Sequence, residues 1–506
     1  MIGTSTWDLV FIRSCIFLLR CIAPLGILYC LIAFLVPPPR FLIFKVLEVW
    51  CVSEAAFYLL LYLPRKFYLQ APATHPTLIP RERRRDLFHR CHENVSDPES
   101  YLSKWFRDAE RSEIKKENVK DFLRWAFLNK GEFDPADDEE LDEYIVGIES
   151  MLGRKLKDGR GKAKCLRLTV DKVDMLHRSL TWYLCVFVVD TITYVSMCYH
   201  SFRPYGTSLR RFPTVFPFRP LTLLSPYRSP AKTLSYWYRP HTSKTRLPIL
   251  FIHGIGIGLY PYVNFLADLN AKSNVYESDG EVGIIALEIM PVSFRITGGA
   301  LPKEEMCNEI LSILNKHGWE KVVLLSHSYG SVISTHLLHT PQLAERIGPI
   351  LYVDPVSFLL HLPDVAYNFT YRKPKRANEH QLHYFACKDM GVSHTLSRHF
   401  FWSENILWKE DIKDRRVTVA LAENDSIVNT EAVGTYLAGV EDDDEEEEDG
   451  EGASWKENKL MGEGLEVLWL PGLDHAQAFD RDWAKERLVS VVLGYCRDGG
   501  EGGIRI

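Results

Sequence analysis

A chain of 506 residues is too long for one hydrophobic core, so two or three structural units are expected. Its 46% hydrophobic and 25% charged residues are the balance of an ordinary folded protein, and a formal net charge of -6 gives no ground for a nucleic-acid partner. Eleven cysteines, scattered from Cys15 to Cys496 without CxxC pairs or metal-ligand spacing, argue against a disulfide framework and against a zinc site.

The first elements are apolar. Cys15 to Val36 carries one charge, Arg20, and has the length of a spanning helix. Pro37 to Pro39 then break the helix. A second apolar run, Phe41 to Leu63, contains Lys45, Glu48 and Glu54, which are costly in hydrocarbon unless paired; Lys45 and Glu48 are spaced to pair on a helix. Residues 1–70 are therefore expected to form a membrane segment of two helices, either spanning or dipping as a hairpin. The basic group Arg65, Lys66, Arg81, Arg83, Arg84 and Arg85 follows, which points the bulk of the chain to the cytosol. The setting expected is the endoplasmic reticulum or a lipid droplet. Three Asn-x-Ser/Thr sequons, at Asn94, Asn368 and Asn424, fit that orientation, because a glycan at Asn424 would sit beside a candidate site residue.

Residues 71–230 read as a helical region and connector. Ser96-Asp97-Pro98 opens a helix, and Val119 to Leu128 repeats apolar residues at helical spacing. Nothing in this stretch suggests chemistry. The run Trp182 to Tyr199, interrupted by Asp190, reads as a buried or interfacial helix in preference to a spanning one. A connector rich in proline and arginine runs from Arg210 to Pro230.

From residue 231 to 506 short apolar runs alternate with helical stretches. Leu247–Gly254, Val282–Ile289, Lys321–Ser326, Gly348–Pro355, Arg415–Leu421 and Leu465–Gly472 have the near-continuous apolarity of strands covered on both faces. Helices are expected between them, as over Glu304–Gly318 and Glu431–Gly439. The fold class is α/β, a doubly wound and mostly parallel sheet, in which chemistry gathers beyond the carboxyl ends of the strands. The acidic run Glu441 to Gly452 reads as part of a solvated, disordered loop, residues 441–456.

Four strand ends carry suggestive residues. His253-Gly254-Ile255-Gly256-Ile257-Gly258 follows one, and Ser326-His327-Ser328-Tyr329-Gly330 follows another. Asp425 lies after a third and His475 after a fourth. A serine, then an acid, then a histidine, each just past a strand, is the order of nucleophile, orienting acid and general base.

In these motifs, over roughly Leu234 to Cys496, the sequence resembles the α/β hydrolase superfamily, and with its membrane segment it resembles uncharacterised membrane-anchored hydrolases of fungi. The resemblance implies a serine nucleophile at Ser328, a base at His475, and an oxyanion hole from the N–H groups of Tyr329 and Ile255. It also implies a supporting turn from His253, Gly254, Gly256 and Gly330. Where the family usually has glycine two residues before the nucleophile, this chain has Ser326, still small. It further implies Asp425 as the acid, because that residue follows the strand where the family most often carries it; Asp354, at the end of the preceding strand as in some members, is the alternative.

Residues 357–414 occupy the place of the family's lid. They are rich in aromatics, and their five histidines, among them His361 and His394, show no HExxH or paired metal spacing. No metal and no cofactor are expected. Membrane tethering and an apolar lid together suggest a serine esterase or lipase acting on a hydrophobic ester. Acyl transfer by the same triad, a non-catalytic membrane scaffold and a transport component are the alternatives.

Overall fold

The computed structural model describes residues 2–36, 41–273, 279–439, 454–457 and 464–497. The proline break at 37–39 and the acidic run at 441–453 lie outside them. Ser454–Glu457, placed in that acidic loop by composition, instead forms a helical turn whose Trp455 is buried edge-on against Trp469.

Helix α1 (Thr6–Leu35) starts with a capping box in which Ser5 and Asp8 satisfy each other's backbone N–H groups. Helix α2 (Leu42–Ala56) continues through a π-helical turn, Phe57–Tyr62, into α3 (Leu63–Tyr68). Gly26, 11 residues before the proline break, and Cys51, 12 residues after it, meet where a Cβ on Gly26 would lie 3.1 Å from the Cys51 carbonyl. The two helices therefore run antiparallel, and glycine permits the close approach. Thr6–Leu35, Leu42–Tyr68 and a third helix, α8 (Leu180–Tyr199), are each long and apolar enough to cross a membrane.

The charges in these helices follow their partners. Glu54 is fully buried and caps the start of α8, accepting from Leu180 N–H, Thr181 N–H and the Thr181 hydroxyl at 2.8, 2.8 and 2.6 Å. A carboxylate at a helix N-terminus meets both the unpaired donors and the positive end of the dipole. No ion pair joins Lys45 to Glu48 among the described residues. On α8, Tyr183, Val186, Asp190, Thr193 and Met197 are buried, while Leu184, Val188, Ile192, Val195 and Tyr199 form an exposed apolar stripe opposite. Asp190 accepts from Arg219 at 2.8 Å and from Arg295, and Arg219 also pairs with Glu288 at 2.7 Å. Asp190→Ala would leave Arg295 buried without its carboxylate. A loss of about 3–5 kcal/mol is expected, read as a lower thermal midpoint of the detergent-solubilised protein.

A helical unit follows the membrane helices, built from α4 (Arg81–Glu93), α5 (Pro98–Trp105), α6 (Lys116–Leu128) and α7 (Asp138–Leu152). Asp97 caps α5 by accepting from Ser100 N–H at 2.9 Å. Its core packs Trp105, Phe122, Trp125 and Phe127 with Leu141 and Tyr144. The Arg84–Glu140 pair fastens α4 to α7.

The sheet has eight strands: β1 (Arg203–Tyr205), β2 (Ser235–Arg239), β3 (Ile249–Ile252), β4 (Ile284–Glu288), β5 (Val322–His327), β6 (Ile347–Val353), β7 (Val417–Ala422) and β8 (Leu465–Leu470). Their order is β1-β2-β4-β3-β5-β6-β7-β8. β2 pairs antiparallel with β1 and β4, and all remaining pairs are parallel. This order fits the α/β hydrolase fold. All six of the strands read from sequence are present; β1 and β2 were missed, and β1 places the start of the sheet at Arg203, ahead of the boundary expected at 231. Both strands are short and aromatic, and they pair at an antiparallel edge, so neither carries the long apolar run of a buried parallel strand.

Alternate residues of each central strand feed opposite faces. Leu250, Ile252, Val322 and Leu324 join one core, with α10 (Lys303–His317) and α11 (Gly330–Leu338). Ile249, Phe251, Val323 and Leu325 join the other, with α9 (Val263–Ser273) and the C-terminal helix Asp482–Arg497. Between β6 and β7 the lid is a set of short helices: α12 (Pro363–Ala366), α13 (Ala377–Gln381), α14 (Met390–Arg398) and α15 (Trp402–Asn405). α1 packs along α13, and Ile2 N–H donates to Gln381 Oε1 at 3.0 Å.

Candidate active site

β5 ends at His327 and the chain reverses at once. Ser328 adopts φ 51°, in the left-handed region that costs a non-glycine residue about 1–2 kcal/mol, and α11 begins at Gly330. The reversal is tight for a steric reason: a Cβ on Gly330 would lie 2.5 Å from the Ile252 carbonyl oxygen. Ser328 N–H is held by the Val353 carbonyl at 3.0 Å, and the Ser331 hydroxyl donates to the Ser328 carbonyl at 2.7 Å. Ser326, two residues before the turn, is fully buried in β5.

The glycine turn after β3 passes directly over this serine. A Cβ on Gly254 would sit 2.8 Å from both Ser328 Cβ and His327 Nδ1. His253 props the turn from beneath: Nδ1–H donates to the Gly254 carbonyl at 2.7 Å and Nε2 accepts from Ile289 N–H at 3.0 Å. Burial pushes its pKa down to about 4, so the ring is neutral and its tautomer is fixed by these two bonds. Gly256 N–H is taken by the Val292 carbonyl at 3.1 Å, and Gly258 needs φ 78°. Among the described residues the N–H groups of Ile255 and Tyr329 meet no acceptor, and both residues line the same cavity as Ser328.

The loops after β7 and β8 bring two further side chains to the serine. His475 Nε2 lies 2.8 Å from Ser328 Oγ, and His475 Nδ1 lies 2.7 Å from Asp425 Oδ2. Asp425 is aimed by its own turn, Oδ1 accepting from Ile427 and Val428 N–H at 2.7 and 2.9 Å. Its side chain has no exposed surface, and that of His475 has 6%.

Asp354, the rival acid, is elsewhere in the network. It lies at φ 44° after β6, fully buried, and its two oxygens accept from Ala422 N–H at 3.0 Å and Ala476 N–H at 2.8 Å. It thereby fixes the backbone beside His475 and makes no hydrogen bond to the ring. Burial, then the charge of Asp425, push its pKa up to about 7. Burial opposes the charged form of His475, but the charge and hydrogen bond of Asp425, helped by Asp354 and Asp474, outweigh it and push the pKa up to about 9.

Asp354, Asp425 and His475 present ligand-type atoms within 4.8 Å of one another, the one such group among the described residues. Every carboxylate oxygen in it already accepts an N–H, so the set is complete as a hydrogen-bond network. Among the lid histidines, His361 stacks on Trp408 and His394 meets His399 edge-on.

Several supporting residues escaped the sequence reading. The Tyr262 hydroxyl accepts from Gly254 N–H at 3.3 Å and bonds His327 Nδ1 at 2.7 Å, linking the glycine turn to β5. Asp474 accepts from Ser426 N–H at 2.9 Å, His475 N–H at 2.7 Å and the Asn378 amide at 2.5 Å, joining both loops to the lid. Only the adjacency of Asp474 to His475 hinted at this. The cavity over Ser328 encloses about 680 Å³, solvent at its mouth included. It is lined by lid residues such as Phe369, Leu396 and Phe400, and also by Trp105, Trp125 and Leu168 of the helical unit, which was read as having no part in chemistry.

No family model and no curated protein sequence matches the chain. Among solved structures, a carboxylesterase of Bacillus subtilis is 10% identical with a TM-score of 0.35, over 61% of this chain and 99% of that one. A bacterial membrane phospholipase A is 9% identical with a TM-score of 0.37, over 62% and 94%. The 2-hydroxy-6-oxo-6-phenylhexa-2,4-dienoate hydrolase of a Rhodococcus strain is 14% identical with a TM-score of 0.34, over 52% and 95%. Likeness this distant carries no argument about the present chain, whose fold rests on its own strand order.

Proposed function

We propose that the protein is a membrane-anchored serine hydrolase that cleaves a hydrophobic carboxylic ester through an acyl-enzyme on Ser328. The observation that carries the reading is the relay Ser328–His475–Asp425 at 2.8 and 2.7 Å, opening into an apolar cavity. In this scheme Ser328 Oγ attacks the ester carbonyl as neutral His475 takes its proton at Nε2. Asp425 holds the ring by Nδ1–H and stabilises the imidazolium that forms. The N–H groups of Tyr329 and Ile255 receive the oxyanion, an effect worth about 10²–10³ in rate per donor. The imidazolium then protonates the departing alkoxide, leaving the acyl group on Ser328. Water, activated by the same imidazole, releases the acid and restores the serine.

Anchoring is supported by α1 and α2 and by the exposed apolar stripe of α8, which suits a helix lying at the bilayer surface while its Asp190 face packs on the hydrolase unit. The basic residues from Arg65 to Arg85 favour a cytosolic orientation. The deciding experiment treats the full chain in detergent with an alkyl fluorophosphonate and locates the adduct by peptide mass spectrometry. A phosphonyl adduct on Ser328 is expected. Folded protein that takes up no label there would overturn the reading in favour of a non-catalytic scaffold.

A further inference from the structure

The wall of the cavity over Ser328 has more than one origin. Ile255, Ser328 and Tyr329 come from the strand termini, whereas Trp105 of α5, Trp125 of α6 and Leu168 come from the helical unit. That unit is clamped to the lid. Lys104 pairs with Asp364 at 2.8 Å, the Trp402 indole donates to the Ala126 carbonyl at 2.8 Å, and Phe127 meets Trp402 edge-on at 5.6 Å.

The chemistry of the wall is one-sided. Its side-chain hydroxyls are those of Ser328, Tyr329 and Thr370, and Thr370 Oγ1 is committed to the Ala366 carbonyl at 2.6 Å. The Trp125 indole N–H is likewise committed, to Thr169 Oγ1 at 2.9 Å. The Trp402 indole is committed to the Ala126 carbonyl, and the Trp105 Nε1–H, without an acceptor among the described residues, is itself buried away from the cavity. Apart from Ser328, Tyr329 and the oxyanion donors, aliphatic side chains and aromatic rings are left to meet the ligand. A substrate group with unpaired polar atoms would lose its water there without replacement, a cost of about 1–3 kcal/mol for each group. A plain hydrocarbon chain has no such cost and gains from each methylene it buries.

We infer that the helical unit of residues 81–168 is the far wall of an acyl-chain pocket, and that Trp105, Trp125 and Leu168 set the length of unsubstituted fatty acyl chain the enzyme prefers. The inference rests on the proposed hydrolase activity and names the substrate class of that same site: a fatty acyl ester. Chain selectivity then lies outside both the sheet and the lid, in a separate helical unit. Leu168 is the most tractable of the three, because it is only partly buried and lies outside the helices.

The test compares Leu168→Trp and Leu168→Ala with wild type on p-nitrophenyl butyrate and p-nitrophenyl palmitate, and follows thermal unfolding to confirm folding. Filling the wall should lower the palmitate-to-butyrate ratio of kcat/KM by about tenfold or more, and Leu168→Ala should leave the ratio equal or raise it. A ratio that neither folded variant changes overturns the inference while the esterase reading stands. Fatty-acid binding separates the two failures. In a Ser328→Ala background, quenching of tryptophan fluorescence by bromostearic acid should weaken on adding Leu168→Trp, even if the wild type hydrolyses no ester. Saturable quenching that is indifferent to residue 168, or no saturable quenching, removes the helical unit as the wall.

Discussion

Ser328→Ala is expected to reduce ester hydrolysis by about 10⁴–10⁶-fold, because it removes the hydroxyl that lies 2.8 Å from His475 Nε2 and that carries the acyl group in the proposed reaction. The residual rate should come from binding and from the oxyanion donors alone. Folding should survive: alanine tolerates the φ of 51° no worse than serine, and the Ser328 N–H bond to Val353 stays. Measured kcat/KM alongside the thermal midpoint checks both halves. A variant that keeps more than a tenth of the wild-type rate would place the nucleophile elsewhere.

The two carboxylates near His475 should respond very differently to the same substitution. Asp425→Asn replaces the acceptor of His475 Nδ1–H with an amide and should cost about 10⁴ in kcat, with little change in KM. Asp354→Asn keeps one oxygen for backbone donors and leaves the ring's own bonds intact, so a loss of less than about tenfold is expected. The pH profile distinguishes them further. In the proposed reaction His475 serves as a base only when neutral, so activity should climb with pH toward the value of about 9 to which its acidic neighbours push it. Asp354 is one of the charges that raise it; removing that charge lowers the pKa and should move the acid limb to lower pH. The stability that the charged His475 gains from Asp425 has the opposite trend. It is fully present below the ordinary histidine value of 6.5 and is lost as pH rises through about 9. Inactivation by Asp354→Asn, with Asp425→Asn active, would reverse the assignment of the acid.

What was legible in the sequence followed a simple physical rule. Strands covered on both faces must be apolar throughout, so β3 to β8 stood out, and the polar residues just beyond their ends stood out against them. Ser328, Asp425 and His475, chosen on that ground, are the three side chains that meet. Asp354 ends β6 in the same manner; only the family resemblance puts Asp425 ahead of it, because which loop reaches the imidazole is decided by the tertiary structure. β1 and β2 escaped because an antiparallel edge needs no continuous apolar run. Trp105 and Trp125 escaped for another reason: aromatic residues at helical spacing are ordinary core, and most of their surface is just that. Their second surface, toward Ser328, is a tertiary fact with no local signature.

The contact between α1 and α13 has a practical side. Residues 1–70 look like a tail that could be trimmed to obtain a soluble enzyme for assay or crystallisation. Cutting there would uncover the side of the lid that α1 covers, break the bond from Ile2 to Gln381, and remove Glu54 from the N–H groups at the start of α8. A fragment shortened this way would carry a lid missing one of its supports, and its substrate preferences would describe that fragment. Nanodiscs or mild detergent, with the whole chain present, are the preparations that leave these supports of the lid in place.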